Sequence, residues 1–167
     1  RSLEMQGHVV ETAENGQEGL EKFRSGSYDL MLLDIEMPVM NGFEVLEACL
    51  NDLDLRQIPI IMTSAMEELD AVVKCVELGA EDYLTKPVNP ILLRARVNAS
   101  LEKKRLRDLQ QLYLKSLERE LEIAHEIQMS FLPSELPKID GWEIAAYFKA
   151  AREVAGDFYD VFTLPDG

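Results

Sequence analysis

Leu30, Met31, Leu32 and Leu33 follow one another without a polar break and end on a carboxylate, Asp34. A strand whose apolar side chains do not alternate has to be covered on both faces, the condition inside a parallel sheet flanked by helices. Asp34 therefore falls at the carboxyl end of a buried strand. In open α/β sheets, ligands and chemistry gather along that edge, where strands fan apart and loops close over the gap. Pro38 and Gly42 then interrupt the chain, so residues 35–41 read as a loop leading into a helix that starts near Gly42 or Phe43.

The same alternation continues on both sides. Leu3, Met5 and Gly7 read as a last helical turn with a glycine stop, followed by a short strand over 8–13 and a turn at Asn15-Gly16. Residues 19–25 form a helix with Leu20 and Phe23 facing inward, and a strand over 28–33 follows. The next helix, 43–52, carries Val45, Leu46, Cys49 and Leu50 at helical spacing. A second continuous apolar strand covers 58–62, with Pro59 near its start, where a missing donor is tolerated. Residues 67–78 are a helix with Leu69, Val72, Val73 and Val76 as its expected buried stripe, closed by Gly79. Residues 83–85 are the last strand, ended by Lys86-Pro87, and a long helix begins around Asn89 or Pro90. Strands alternating with helices imply an α/β fold with a doubly wound parallel sheet.

Leu33-Asp34, Met37-Pro38, Asn41-Gly42, Ser64-Ala65, the run Gly79-Ala80-Glu81-Asp82-Tyr83 and Lys86-Pro87 occur in that order. On those motifs the chain, from residue 1 to about 100, resembles the CheY-like receiver domain of two-component response regulators, a flavodoxin-like fold. The resemblance implies that Asp34 accepts a phosphoryl group from a sensor histidine kinase. It implies that Lys86 brings an ammonium to the phosphate across a cis Lys-Pro bond. It implies that Ser64 donates its hydroxyl once Asp34 is modified, and that Tyr83 rotates inward as a switch. Thr63 is a second hydroxyl beside Ser64, but counting back from Gly79 puts Ser64 in the family position. Magnesium is the implied cofactor, held by Asp34 and the backbone carbonyl of Glu36. Taken alone, Asp34 could be a solvated loop acid, Ser64 a helix cap, Tyr83 a half-exposed aromatic and Lys86 a surface lysine. The family also has a first, central strand ending in an acidic pair that binds the metal, and this sequence lacks both. A receiver incomplete at its amino terminus, as a fragment of a longer protein, is the expectation, with a degenerate, unphosphorylated receiver as the other reading.

Residues 91–131 contain no glycine or proline and are rich in Leu, Glu, Lys and Arg, so they read as one helix. Leu114, Leu117, Leu121, Ala124, Gln128 and Phe131 repeat at steps of three and four, a coiled-coil seam that predicts a homodimer. Lys103, Lys104, Arg105 and Arg107 read as a solvated basic face. The linker is expected over 101–132. After Pro133 and Pro137, residues 133–167 read as the start of a further, α+β unit, with strands over 142–147 and 158–162 and a turn at 165–167. Ile127-Gln128, Leu132-Pro133 and Ala151-Arg152-Glu153-Val154-Ala155-Gly156-Asp157-Phe158-Tyr159-Asp160 resemble the opening of metal-dependent serine/threonine phosphatases of the sporulation stage II protein E type. Ala155 stands where that family usually has glycine. The resemblance implies Asp157, and more weakly Asp160, as ligands of a Mn or Mg pair. It also implies a phosphoprotein substrate such as an anti-sigma-factor antagonist, with the other ligands lying past Gly167. The segment as it stands is expected to have no phosphatase activity.

The formal net charge of −14 opposes a nucleic-acid grip, which depends on Lys and Arg neutralising phosphates. No apolar run is long enough for a bilayer, and the start shows no signal peptide, so a cytoplasmic protein without membrane contact is expected. Cys49 and Cys75 read as small core residues. Two further readings compete: an interaction module that catalyses nothing, and His125 as a phosphorylatable histidine. The run from Ala124 to Gln128 resembles the histidine box of sensor kinases, but its proline, Pro133, comes late.

Overall fold

The structure, a computed structural model, describes residues 3–65 and 69–162. It divides into two compact units at Asp108. In the first, helix α1 spans Gly16–Ser25, strand β1 Met31–Asp34, α2 Gly42–Leu50, β2 Ile60–Ser64, α3 Leu69–Glu77 and β3 Asp82–Thr85. Helix α4, Pro90–Ser130, begins in this unit and continues in the other.

The strands pair in parallel in the order β1-β2-β3. Successive residues of β2 serve opposite faces of this sheet. Ile60 and Met62 join Leu33, Val45, Leu46, Cys49 and Cys75 in one apolar cluster, whereas Ile61 meets Leu84 and Val97 in another. On β2 both faces are covered, as its uninterrupted apolar run requires, whereas on β1 the expectation needs correction: Leu33 is buried but Leu32, on the opposite face, is 36% exposed.

Local chemistry starts α1, α2 and α4. Asn15 caps α1 by accepting from the Glu18 amide at 3.0 Å, and Leu20 and Phe23 are buried as expected. Asn41 and Glu44 form a reciprocal capping box on α2. Asn89 accepts from the Ile91 amide at 2.8 Å and opens α4.

Several expectations need correction. Residues 8–13, expected as a strand either poorly paired or bonded directly to the strand over 28–33, form no strand, because no described strand pairs with them. Side chains tie the segment instead: the Tyr28 hydroxyl donates to Glu11 at 2.7 Å and Lys22 donates to the Thr12 carbonyl at 2.8 Å. On α3 the buried residue is Cys75, flanked by half-buried Val72 and Leu78, while Leu69, Val73 and Val76 are exposed. The helix is apolar around much of its girth, so periodicity left its inward face open. Glu67 and Glu68, assigned to its first turn, lie outside the described residues. Leu50 of α2 is 38% exposed, at the rim of the core.

In the second unit, residues 142–147 and 158–162 form no strands. One isolated bridge joins Ile139 and Trp142, and Tyr147, Phe158 and Phe162 stay exposed. Extended segments without a ladder partner have nowhere to place their backbone groups except solvent or side chains. The turn expected at 165–167 lies outside the described residues. Gln128, placed by sequence on a seam facing a second helix, is occupied within its own chain. Its side-chain amide donates to the Ala155 carbonyl at 2.6 Å and accepts from the Ala155 amide at 2.8 Å. No helix among the described residues is long and apolar enough to cross a membrane.

Candidate functional site

Strand register assembles the site. Asp34 lies opposite Thr63 on β2, and Ser64 lies opposite Thr85 on β3, so all three strands end along one edge. The amide of Ile35 donates to the Thr63 carbonyl at 2.9 Å, and the amide of Lys86 donates to the Ser64 carbonyl at 2.8 Å. These bonds extend the pairing one residue past each strand and fix where the side chains of Asp34 and Lys86 begin.

The loop after Asp34 closes tightly. Gly42 donates its amide to the Ile35 carbonyl at 3.0 Å. A Cβ on Gly42 would lie 2.3 Å from the Asp34 carbonyl oxygen and 2.8 Å from Ile35 Cα, so only glycine lets α2 begin against the strand end. Within the loop, Val39 holds φ at 70°, a left-handed conformation that is costly for a β-branched residue. Val39 is also 83% exposed.

The structure brings Asp34 and Lys86 together. The Lys86 ammonium pairs with Asp34 Oδ2, and the Glu36 amide donates to Oδ1 at 3.2 Å. The Lys86-Pro87 bond is cis. Both charged side chains remain about a third open to solvent, 29% for Asp34 and 38% for Lys86. A carboxylate held by one ammonium and one amide, at a rim open to solvent, keeps lone pairs accessible to a second molecule beside a cation that offsets its charge.

Ser64 is fully buried at the end of β2. Thr63 directs its hydroxyl to the Leu33 carbonyl at 3.5 Å. Tyr83 is half-buried against the core and sits opposite Met62. Asp157 belongs to the second unit, where its carboxylate is exposed and its backbone carbonyl lies 3.5 Å from the Gln128 side chain. Asp160 accepts from the amide of Val161 at 2.8 Å. The His125 ring uses Nδ1 against the Glu153 carbonyl at 2.7 Å, which requires the proton on that nitrogen.

Magnesium prefers six oxygens in octahedral array. Among the described residues no three His, Cys, Asp or Glu side chains cluster to hold a metal. Asp34 and the Glu36 carbonyl can supply only part of such a shell, and Asp34 Oδ2 is already paired with Lys86.

Sequence reasoning missed a group of ion pairs. Glu81 Oε1 accepts from Lys103 at 2.6 Å, and Arg107 reaches Glu81 Oε2 at 3.5 Å. Lys104 lies 3.7 Å from Asp29, and Arg96 lies 3.1 Å from Asp82. Lys103, Lys104 and Arg107 are therefore docked against the receiver body. The signal was available in the i, i+4 spacing of Lys103 and Arg107, which places both on one helix face.

The family profile for the response regulator receiver domain matches residues 1–98. The chain is 41% identical over 101 residues to the probable transcriptional regulator ycf27 of Cyanidium caldarium, covering 60% of this chain and 39% of that protein. It is 38% identical over 99 residues to the protein PilH of Pseudomonas aeruginosa, covering 59% of this chain and 82% of PilH. Against the transcriptional regulatory protein AfsQ1 of Streptomyces coelicolor, identity is 41% over 102 residues, 61% of this chain and 44% of that protein. The chain thus spans about two fifths of the length of ycf27 and AfsQ1. Among solved structures, a CheY-like receiver domain from Methanospirillum hungatei superposes with TM-score 0.59 at 32% identity, covering 64% of this chain and 83% of that one. With the family match taking in residues 1–98, and with a parallel three-stranded sheet that sets Asp34 beside Lys86, the chain belongs to the response regulator receiver domain family.

Proposed function

We propose that Asp34 accepts a phosphoryl group from a sensor histidine kinase and that this modification regulates a carboxyl-terminal output in the cytoplasm. One observation carries the reading: Asp34 and Lys86, 52 residues apart, are paired at the carboxyl edge of the sheet. An Asp34 carboxylate oxygen attacks the phosphorus of a phosphohistidine. A new O–P bond forms as the N–P bond breaks, and the electron pair leaves with the imidazole nitrogen. Lys86 then follows the charge to a phosphoryl oxygen, Ser64 offers its hydroxyl, and Tyr83 turns inward. Asp34 and the Glu36 carbonyl would be among the groups that hold magnesium, which would supply positive charge beside the phosphoryl oxygens.

The same reading takes the second unit as the opening of a metal-dependent serine/threonine phosphatase. Asp157 is there a ligand for Mn or Mg, and a phosphoprotein such as an anti-sigma-factor antagonist is the substrate. Its support is the run from Ala151 to Asp160 together with Gln128, which grips that run at Ala155. A homodimer through α4 completes the proposal. A second reading, a receiver that binds partners without being phosphorylated, draws on the incomplete set of metal ligands among the described residues.

The deciding test uses the full gene-encoded protein that contains these residues, incubated with acetyl phosphate and magnesium and then weighed. The first reading expects one phosphoryl group gained, and none in Asp34→Asn. No gain in the parent, or equal gain in the variant, removes it.

A further inference from the structure

The loop that follows Asp34 holds its tip in a costly conformation. The Met40 amide donates to the Pro38 carbonyl at 2.8 Å, and Val39 between them has φ at 70°. A hydrogen bond closed over three residues with a left-handed centre is the rarer, strained hand of the γ-turn. A β-branched side chain fits that conformation worse than glycine or asparagine does. Burial does not offset the strain, because Val39 is 83% exposed.

The surroundings fix this tip in place. Met37 and Met40, on either side of Pro38 and Val39, pack against the core. A Cβ on Gly16 would lie 2.3 Å from the Met40 carbonyl oxygen, so the start of α1 abuts one arm of the loop, while Gly42 abuts the end of β1. The bond from the Gly42 amide to the Ile35 carbonyl closes the base. Val39 follows Ile35 by four positions, so the tip lies no more than about 14 Å from the end of β1. Strain enforced by surrounding contacts, beside reacting groups, belongs with function rather than folding.

We propose that Val39 is an apolar docking contact for the histidine kinase that phosphorylates Asp34, seated in an apolar depression beside the kinase's phosphohistidine. The inference rests on the phosphoacceptor reading of Asp34. To bring phosphorus within bonding distance of Asp34, a donor protein has to cover the rim of the sheet. A standard interface takes about 800 Å² of each partner, a disc about 16 Å in radius, which when centred on Asp34 includes the loop tip. Glu36 and Asn41 are exposed and polar, and Asp34 and Lys86 are charged, so Pro38 and Val39 supply the apolar part of that footprint. A stiff β-branched side chain on a clamped turn loses little freedom when it is covered. A small-molecule donor brings no such surface, so Val39 matters more to a kinase than to acetyl phosphate.

The test uses the full gene-encoded protein, its Val39→Asn and Val39→Ile variants, and two kinds of donor. One is acetyl phosphate with magnesium; the other is each sensor histidine kinase of the source organism, phosphorylated with ATP. Asparagine accepts the left-handed turn but is polar, whereas isoleucine keeps the apolar branch. For the kinase that transfers fastest to the parent, the ratio of its rate to the acetyl phosphate rate is expected to fall about tenfold in Val39→Asn. In Val39→Ile it stays within about threefold of the parent. Val39→Asn is also expected to unfold at or above the parent's temperature, because it relieves the turn. An unchanged ratio in Val39→Asn, an equal fall in both variants, or a lower unfolding temperature in Val39→Asn overturns the docking contact. So does transfer from no kinase to protein that acetyl phosphate does phosphorylate. No mass gained from acetyl phosphate overturns the phosphoacceptor reading, and this inference with it.

Discussion

Cys49 shows how burial dominates the chemistry of a side chain. It is 1% exposed within the α2 core, and that burial pushes its thiol up from 9.0 to about 11, with Asp52 adding to the rise and Arg24 opposing it. Burial pushes the Cys75 thiol up as well. A thiolate in an apolar core has lost its water, so the proton is held to higher pH in the folded chain than in the unfolded one. Between those two values the folded state binds more protons, and stability falls as pH rises. The contribution is intact below about pH 9 and is lost as pH rises through about 11, amounting to roughly 2–3 kcal/mol in full. Urea unfolding at about pH 8 and about pH 10.5 should show that loss, with a shallower slope in Cys49→Ala. Equal slopes in the two proteins would remove the account.

At the scale of elements, the tightest constraint is where α2 meets the end of β1. Gly42 places its backbone so close to the Asp34 carbonyl that an added methyl would collide with backbone rather than with a movable side chain. Gly42→Ala is therefore expected to cost at least about 2 kcal/mol in urea unfolding and to disturb the Asp34–Lys86 pair. A variant within about 0.5 kcal/mol of the parent would show that the loop yields. Asn41-Gly42, like the apolar runs ending at Asp34 and Ser64, was readable because it carries both a cap and a close approach. The carboxyl edge of the sheet was likewise legible from the apolar runs, whereas Lys86 was brought to Asp34 only by the family resemblance, since taken alone it reads as a surface lysine. Residues 8–13 misled for the opposite reason. Val9 and Val10 have strand-like chemistry, but a strand exists only with a partner, and sequence does not show where partners lie. The inward face of α3 was ambiguous because Leu69, Val72, Val73, Cys75 and Val76 cover more than one face. Glu81, a surface acid by composition, was given meaning by cations 22 and 26 residues further along the chain.

For the whole molecule, the exposed face of α4 bears on self-association. In the single chain Leu114, Leu117 and Leu121 are 50%, 36% and 43% exposed, an apolar stripe on the second unit. Burying the remainder of three leucines from each of two helices contributes about 1 kcal/mol per side chain. That sum only just exceeds the lower end of the association cost, about 4–15 kcal/mol. Gln128 adds nothing to the seam, because Ala155 already holds its amide. Helix pairing is thus expected to be weak, and charge decides its salt dependence. Each chain carries −14, so two chains repel, and salt that screens the repulsion should tighten the pair. A dimer held by ion pairs would loosen instead. Sedimentation equilibrium should show a mass that rises with protein concentration and rises further with added sodium chloride. Leu117→Glu combined with Leu121→Glu should hold it at the monomer. A monomer mass at every concentration in the parent, or a dimer that salt dissociates, would place the apolar stripe of α4 in some role other than pairing two copies.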